Sequence, residues 1–283
     1  MTYKLEAWLS NILSSNKKNT KLLLQAITEG KLESAEKELV QPNNFIRKGD
    51  KGITALLECA RLDCLDKIPP EILTNKNLRI RNIDGVTPMH YAAFAGTTYQ
   101  LPQTLITAKM LTLKTKAGFT PLHCAACSGK LNKIPNEFLS SKLLKITDGA
   151  GRSIIHTAAK YGHLDQIPEA ILRENLLFIP PRLGKTVLLC AVYAKNVQHI
   201  LKYIPEEALF IQNNKVDIPY FNLYKSVWEI AKEQECTDIF LGLNLSEKFR
   251  KEVGEDWWVR NQAVMDSKCA ISKQPVNNEL DIF

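Results

Sequence analysis

The residues with the clearest potential for chemistry lie close together near the middle of the chain. His123, Cys124 and Cys127 form the sequence His-Cys-x-x-Cys. A cysteine pair beside a histidine suggests two kinds of chemistry, a zinc site or a redox-active dithiol. His156 and His163 are the further candidate zinc ligands, but the six-residue spacer between them does not match zinc-finger spacing. Which interpretation holds depends on the elements that position these residues.

The stretch belongs to a series of internal repeats that share a 33-residue period. One series of glycines marks this period: Gly52, Gly85, Gly118, Gly151 and Gly184. A second series of glycines lies eleven positions after the first in the three central units: Gly96, Gly129 and Gly162. Prolines share the same spacing: Pro69, Pro102, Pro135 and Pro168. The histidines of the central units also do: His90, His123 and His156. The Cys-x-x-Cys pair is therefore one variant of a repeated unit.

The repeated unit resembles the ankyrin repeat, whose 33-residue signature contains Gly-x-Thr-Pro-Leu-His-x-Ala-Ala. Residues 87–90 and 120–123 match it closely, residues 153–156 lack the proline, and Leu57 and Leu189 replace the histidine in the first and fifth units. The resemblance covers roughly residues 19–243, as five clear units between two degenerate ones. It implies an all-α fold, a solenoid of stacked helix-turn-helix units with capping helices at both ends, and a structural role for the repeated histidine as a brace of the turn.

Each repeated residue has a physical reason. Glycine at the turn adopts positive φ, threonine caps the first helix, proline suits its first turn, and paired alanines let helices approach closely. The second glycine is expected to end the first helix in the left-handed conformation. One departure is the Ile/Leu-Pro sequence in the second half of each unit. Because proline disfavours a helix interior, we expect a longer loop there and a shortened second helix that begins at the proline.

The positions of the two cysteines within the repeat favour a role in packing over metal binding or redox chemistry. Cys124 occupies the inward position that Tyr91 and Thr157 occupy in neighbouring units, and Cys127 occupies an outward, variable position. Gly184-Lys185-Thr186 lacks the first glycine of a phosphate-binding loop, and the glycines at 149 and 151 lack the third glycine of a dinucleotide fingerprint. We therefore expect no catalytic residues, no cofactor and no metal.

A protein-binding surface is the alternative use of such repeats. The resemblance places the variable residues on the turns and on the outer side of each first helix. The candidate partner-binding residues are Val86, Phe94, Lys116, Phe119, Cys127, Arg152, Lys160, Tyr161, Arg182, Lys185 and Tyr193. Aromatic and arginine side chains are enriched at interface hot spots, and the cations favour a protein partner with an acidic patch. The alternative for each position is that the exposed aromatic side chain only packs against a neighbouring repeat.

Composition limits the remaining function classes. The chain has 283 residues, a formal net charge of +7 and seven cysteines, an odd number that does not suggest a secreted disulfide framework. Residues 1–15 contain Glu6 where a signal peptide needs an apolar run, and nowhere is an apolar run long enough to span a membrane, so we expect a cytoplasmic protein without a membrane interaction. The positive charge is spread along the chain, which makes nucleic acid an unlikely ligand.

We divide the chain into residues 1–48, an N-terminal helix and degenerate capping repeat; 49–216, about five ankyrin-like repeats; 217–268, a degenerate repeat and C-terminal capping helices; and 269–283, a flexible tail. The apolar stripe in residues 5–15 is expected to cap the stack, with membrane or partner binding as its alternative. Residues 246–268 are expected to be helical, with Trp257 and Trp258 closing the other end. The expected function is that of a non-catalytic interaction module, with a monomer favoured. The alternatives are an effector or enzyme activity in residues 245–283, or nucleic-acid binding through the basic face.

Overall fold

The computed structural model describes residues 18–175, 186–204, 209, 226–241 and 245–272. All regular elements in these ranges are helical, and the only extended pairing among them is an isolated bridge between Thr147 and Ser153. The prediction of an all-α fold is confirmed for this part of the chain. The molecule divides into two compact units between Ile171 and Leu172.

The first unit contains eight α-helices and the start of a ninth within its described range, and the second contains the remaining helices. Their bounds are 18–28 for α1, Pro42–Ile46 for α2, Ala55–Arg61 for α3, Pro88–Ala95 for α4, Ala108–Leu111 for α5, Pro121–Ser128 for α6, Ser141–Leu144 for α7, Ile154–Tyr161 for α8, Glu169–Asn175 for α9, Val187–Tyr193 for α10, Val227–Glu233 for α11, Arg250–Val253 for α12 and Glu255–Ser272 for α13. Short 3₁₀ helices connect many of them: Leu32–Ser34, Asp50–Gly52, Leu65–Lys67, Pro70–Ile72, Asn77–Arg79, Thr98–Gln100, Gln103–Leu105, Leu131–Lys133, Asn136–Phe138, Leu164–Gln166, Gln198–Tyr203, Thr237–Phe240 and Glu247–Phe249.

The 33-residue period of the sequence reappears in the first helix of each unit. α3, α6 and α8 begin after Thr54, Thr120 and Ser153, whose side-chain oxygens accept a hydrogen bond from the backbone three residues later. α4, α6 and α8 end at glycines with φ between +67° and +84°. The predicted caps at both helix ends are therefore present, and they set the length of each first helix.

The first helices of the first unit pack against one another in sequence order. α3 contacts α4, α4 contacts α6, and α6 contacts α8. The paired alanines of these helices are completely buried: Ala92, Ala93, Ala125, Ala126, Ala158 and Ala159. Because alanine side chains are small, the backbones of successive helices can approach closely and share one apolar core.

The second half of the unit differs from our prediction in three of the four units whose repeated proline the structure describes. Pro69 leads into the 3₁₀ helix Pro70–Ile72. Pro102 and Pro135 do not start an α-helix; each leads into a 3₁₀ helix, and the four-residue helices α5 and α7 begin several residues later. Only Pro168 is followed directly by an α-helix, α9. The proline fixes its own backbone without supplying the helical nucleus that a full α-helix requires.

Backbone hydrogen bonds join the turns of successive units. The amide of Ile83 donates to the carbonyl of Lys51, that of Lys116 to Asp84, and that of Gly149 to Ala117, at 2.9–3.0 Å. Gly118 shows how close this approach is, because a Cβ atom at its left-handed backbone would lie 2.4 Å from the nitrogen of Gly149. The turns therefore form a connected row beside the first helices.

Buried tryptophans contribute to the core of the second unit. The indole of Trp257 packs edge-on against Trp228 at a centroid distance of 5.0 Å and donates its N–H to the carbonyl of Thr237 at 3.1 Å. Trp257 and Trp258 are both buried. The helix predicted over residues 246–268 is interrupted at Gly254, whose φ of +88° separates α12 from α13.

The predicted apolar stripe at residues 5–15 and residues 273–283 of the predicted tail lie outside the described residues, whereas residues 269–272 of that tail belong to α13. Among the helices that the structure describes, none combines the length and apolar character that crossing a bilayer requires.

Candidate interaction surface

The structure places most of the predicted partner-binding residues on the surface of the first unit. Phe94 and Tyr161 are 50% and 45% exposed, and Lys116 and Lys160 are also exposed. Four more are half-buried: Val86, Phe119, Cys127 and Arg152. Tyr193 is 46% exposed but belongs to the second unit. Arg182 and Lys185 lie outside the described residues.

Phe119 and Arg152 form one cluster of this surface. The Arg152 guanidinium lies 5.4 Å from the centroid of the Phe119 ring, within the range of a cation–π interaction. Asp148 fixes the arginine, since its buried carboxylate accepts from Arg152 Nε at 2.9 Å and from the backbone amides of Ala150 and Arg152, each at 2.9 Å. The side chain of Arg152 is thus oriented before any partner arrives.

Tyr161 is the centre of a second cluster. The ammonium group of Lys160 lies 5.2 Å from the centroid of its ring, and the thiol of Cys127 lies close to its hydroxyl. The interaction with the Cys127 thiol is the main reason why the pKa of Tyr161 is raised. The structure therefore brings Cys127, Lys160 and Tyr161 together, although they belong to two successive repeats.

A cavity of about 400 Å³ opens beside Phe119. Three of the predicted residues line it: Val86, Lys116 and Phe119. Cys124 also lines it, which corrects our assignment of this cysteine to core packing alone, because its side chain is half-buried and borders the cavity. Burial raises the pKa of the Cys124 thiol to about 12, so the thiol presents a neutral surface at physiological pH.

The histidines beneath this surface form structural hydrogen bonds. His123 Nδ1 accepts from the amide and hydroxyl of Thr120 at 3.3 and 2.8 Å, and its Nε2–H donates to the carbonyl of Arg152 at 3.1 Å. His90 repeats the pattern with Thr87 and the carbonyl of Phe119. Burial lowers the pKa of both histidines to about 4.

These contacts decide what the two histidines can do. Each ring is neutral at pH 7 with both nitrogens occupied, so neither has a lone pair for a metal ion. The structural role expected for them is confirmed by the geometry. Within the described ranges, no group of three His, Cys, Asp or Glu side chains is arranged to hold a metal ion.

The positive charge is less evenly distributed along the chain than we expected from counts over long segments. Residues 85–136 contain five lysines and no acidic residue, and Asp84 is the single acidic residue between positions 72 and 136, against eight basic ones. This stretch covers the second and third repeats. The positive charge of the chain is therefore concentrated on the repeats that carry Phe94 and Phe119.

Comparison with known proteins adds no assignment to this geometry. A scan against protein-family models matches none of them, and no curated protein matches the sequence.

Proposed function

We propose that the protein is a non-catalytic binding module, built as an ankyrin-type repeat solenoid, that presents a rigid surface to a protein partner. The 33-residue period supports the repeat assignment, because the helix caps, the positive-φ glycines and the histidine hydrogen bonds all recur with it. A concave face along the turns and first helices would carry the binding residues, and the cytoplasm is the proposed location.

The observation that carries this proposal is the combination of exposed aromatic side chains with a fixed backbone. Phe94 and Tyr161 expose about half of their surface, on helices whose buried alanines and capped ends leave little freedom. Association with a rigid surface requires little ordering of the chain, so more of the contact free energy remains for binding. Aromatic residues beside cations are the composition of interface hot spots.

The partner is proposed to be a protein with an acidic patch. Lys116 and Lys160 are exposed, and Arg152 lies over Phe119. Cations of this kind steer an acidic partner to the surface, while the aromatic rings supply the apolar contact area.

Comparative capture tests this proposal. The full chain and a Phe94→Ala/Phe119→Ala/Tyr161→Ala variant are immobilised, and the proteins retained from cell lysate are quantified by mass spectrometry. We expect the variant to lose the main partner of the wild type, since each removed aromatic at a hot spot costs about 2 kcal/mol or more.

A matched control removes an aromatic residue elsewhere. Tyr99 is 70% exposed on the 3₁₀ helix Thr98–Gln100, and the Tyr99→Ala variant is expected to retain the partner. If the folded triple variant retains every partner that the wild type captures, the proposed binding surface is wrong.

A further inference from the structure

We propose that this surface recognises an extended, acidic segment of the partner, which places two apolar side chains about six residues apart into two equivalent cavities of the first unit. This inference rests on the proposed function and specifies the chemistry of the partner.

The two cavities have the same construction. The first, of about 450 Å³, lies beside α1 and is lined by residues that include Thr20, Leu24, Gly49, Asp50, Ile53 and Glu58. The residues two repeat periods later all line the cavity beside Phe119: Val86, His90, Thr115, Lys116, Phe119 and Cys124. The offset is the same for these six of the ten residues that line the first cavity, which indicates that the same step between successive units contributes to both cavities.

The separation of the cavities sets how many residues lie between the two apolar side chains in each conformation of the ligand. Packed helices lie about 10 Å apart, so two repeats separate the cavities by about 20 Å. An extended chain rises about 3.3 Å per residue, so about six residues span this distance. A helical ligand, with a rise of about 1.5 Å per residue, would need about 13 residues for the same span.

The walls of the cavities suit apolar side chains. Leu24 and Ile53 contribute to the first, and Val86 and Phe119 to the second. All four are half-buried, so their apolar surface remains accessible to a ligand. Each cavity is large enough for one leucine-sized or phenylalanine-sized side chain of the partner.

Cations outnumber acidic residues around the two cavities, which favours an acidic chain. Lys21, Arg47 and Lys48 line the first together with Asp50 and Glu58, and Lys116 and Asp84 both line the second. Lys48, Arg81 and Lys114 are exposed and follow one another at 33-residue intervals, and Lys48 also lines the first cavity. Arg81 donates to the carbonyls of Gly85 and Lys114 at 3.1 and 2.6 Å.

Lys114 continues this pattern, because its ammonium donates to the carbonyl of Thr147 at 2.8 Å. None of the three cations forms a salt bridge with the described part of the chain. Arg81 and Lys114 are oriented by backbone carbonyls while their charges remain uncompensated. This column of cations, together with the acid-free stretch at residues 85–136, complements carboxylates spaced along an extended peptide.

Peptide selection tests the inference directly. A display library of random 16-residue peptides is selected on the immobilised full chain. The enriched sequences are expected to carry an excess of Asp and Glu and two apolar residues five to seven positions apart. Titration calorimetry of a synthetic enriched peptide should give one peptide per chain.

Cavity-filling variants then test the location. Ile53→Trp fills the first cavity and Val86→Trp the second, and both side chains are half-buried at the edge of a cavity, so the fold has room for the change. We expect each variant to weaken peptide binding about tenfold or more, as the loss of an anchor side chain does. A peptide whose two apolar residues are moved to three positions apart should bind the wild-type chain as weakly as the enriched peptide binds these variants. Circular dichroism verifies that each variant is folded.

Several results would overturn the inference: enriched peptides without the acidic excess or the spacing, two peptides bound per chain, no effect of a folded cavity-filling variant, or tighter binding of a 15-residue oligothymidine than of the peptide. An unsuccessful selection also overturns it. In any of these cases, partner capture can still depend on Phe94, Phe119 and Tyr161. The proposed function then stands, and only the extended acidic ligand is wrong.

Discussion

The buried histidines predict that the first unit loses stability in a defined pH range. His90 and His123 are 1% and 0% exposed, and each accepts a hydrogen bond at Nδ1 from a backbone amide. Protonation would place a second proton on Nδ1, facing that donor, in a buried site. The neutral form is therefore favoured in the folded state, and burial lowers both pKa values to about 4.

The size of the effect follows from the difference between the folded and unfolded pKa values. The unfolded value is about 6.5, so the stabilisation is fully present above pH 6.5 and is lost as the pH falls toward 4. Between pH 7.5 and pH 5.5 the loss is about 1.3 kcal/mol for each histidine and about 2.6 kcal/mol for both. Most carboxylates remain ionised in this window, because their ordinary pKa values are near 4.

Urea unfolding followed by circular dichroism at the two pH values measures this loss. The comparison is a His90→Leu/His123→Leu variant, since Leu57 and Leu189 occupy the equivalent positions in other units and are buried there. The variant is expected to be less stable than wild type at pH 7.5, because two carbonyls and two amides lose their partners. Between pH 7.5 and pH 5.5, its free energy of unfolding should nevertheless fall by about 2.6 kcal/mol less than that of wild type. If the variant and wild type lose the same free energy of unfolding between the two pH values, the assigned hydrogen bonds and protonation states are wrong.

Two further predictions concern a turn and a thiol. Gly118→Ala should lower the melting temperature more than Gly30→Ala. Both glycines have positive φ, which costs alanine about 1 kcal/mol, but only at Gly118 would the Cβ atom collide with the next turn, whereas at Gly30 it meets nothing within 4 Å. Equal melting temperatures would contradict the close approach of the turns. The second concerns Cys124, whose raised pKa of about 12 leaves very little thiolate at pH 8. Iodoacetamide, followed by mass spectrometry, should alkylate it more than about tenfold more slowly in the folded chain than in urea, and equal rates would refute the raised pKa.

Much of the fold of each repeat could be predicted because its determinants are local. Thr120 caps the helix that starts at the next residue, and Gly129 ends that helix, so both signals lie directly beside the structure they set. Their repetition in successive units then indicates that each structure recurs. The histidine brace could also be predicted, although its second contact, to the carbonyl of Arg152, reaches into the next repeat.

The features that the sequence did not predict depend on packing between repeats. Pro102 and Pro135 disfavour an early α-helix, but the 3₁₀ helices that follow them have no equally specific local signal in the sequence. The inward register of Cys124 was identified, whereas the cavity it borders arises from how two units meet. The ion pair of Arg152 with Asp148 likewise requires the turn to bring the two side chains together.

The stability of the repeats and the shape of the proposed binding surface both depend on the histidine hydrogen bonds. The carbonyl that His90 holds belongs to Phe119, and the carbonyl that His123 holds belongs to Arg152. These are the two residues whose side chains form the cation–π cluster on the surface. Each brace therefore fixes the backbone of a proposed binding residue in the following repeat, and the neutral histidine would reduce the conformational freedom that this residue loses on binding. Since the same hydrogen bond contributes to folding, a substitution that removes the brace weakens both stability and the preorganisation of the surface, whereas Phe119→Ala removes contact area while leaving the brace intact.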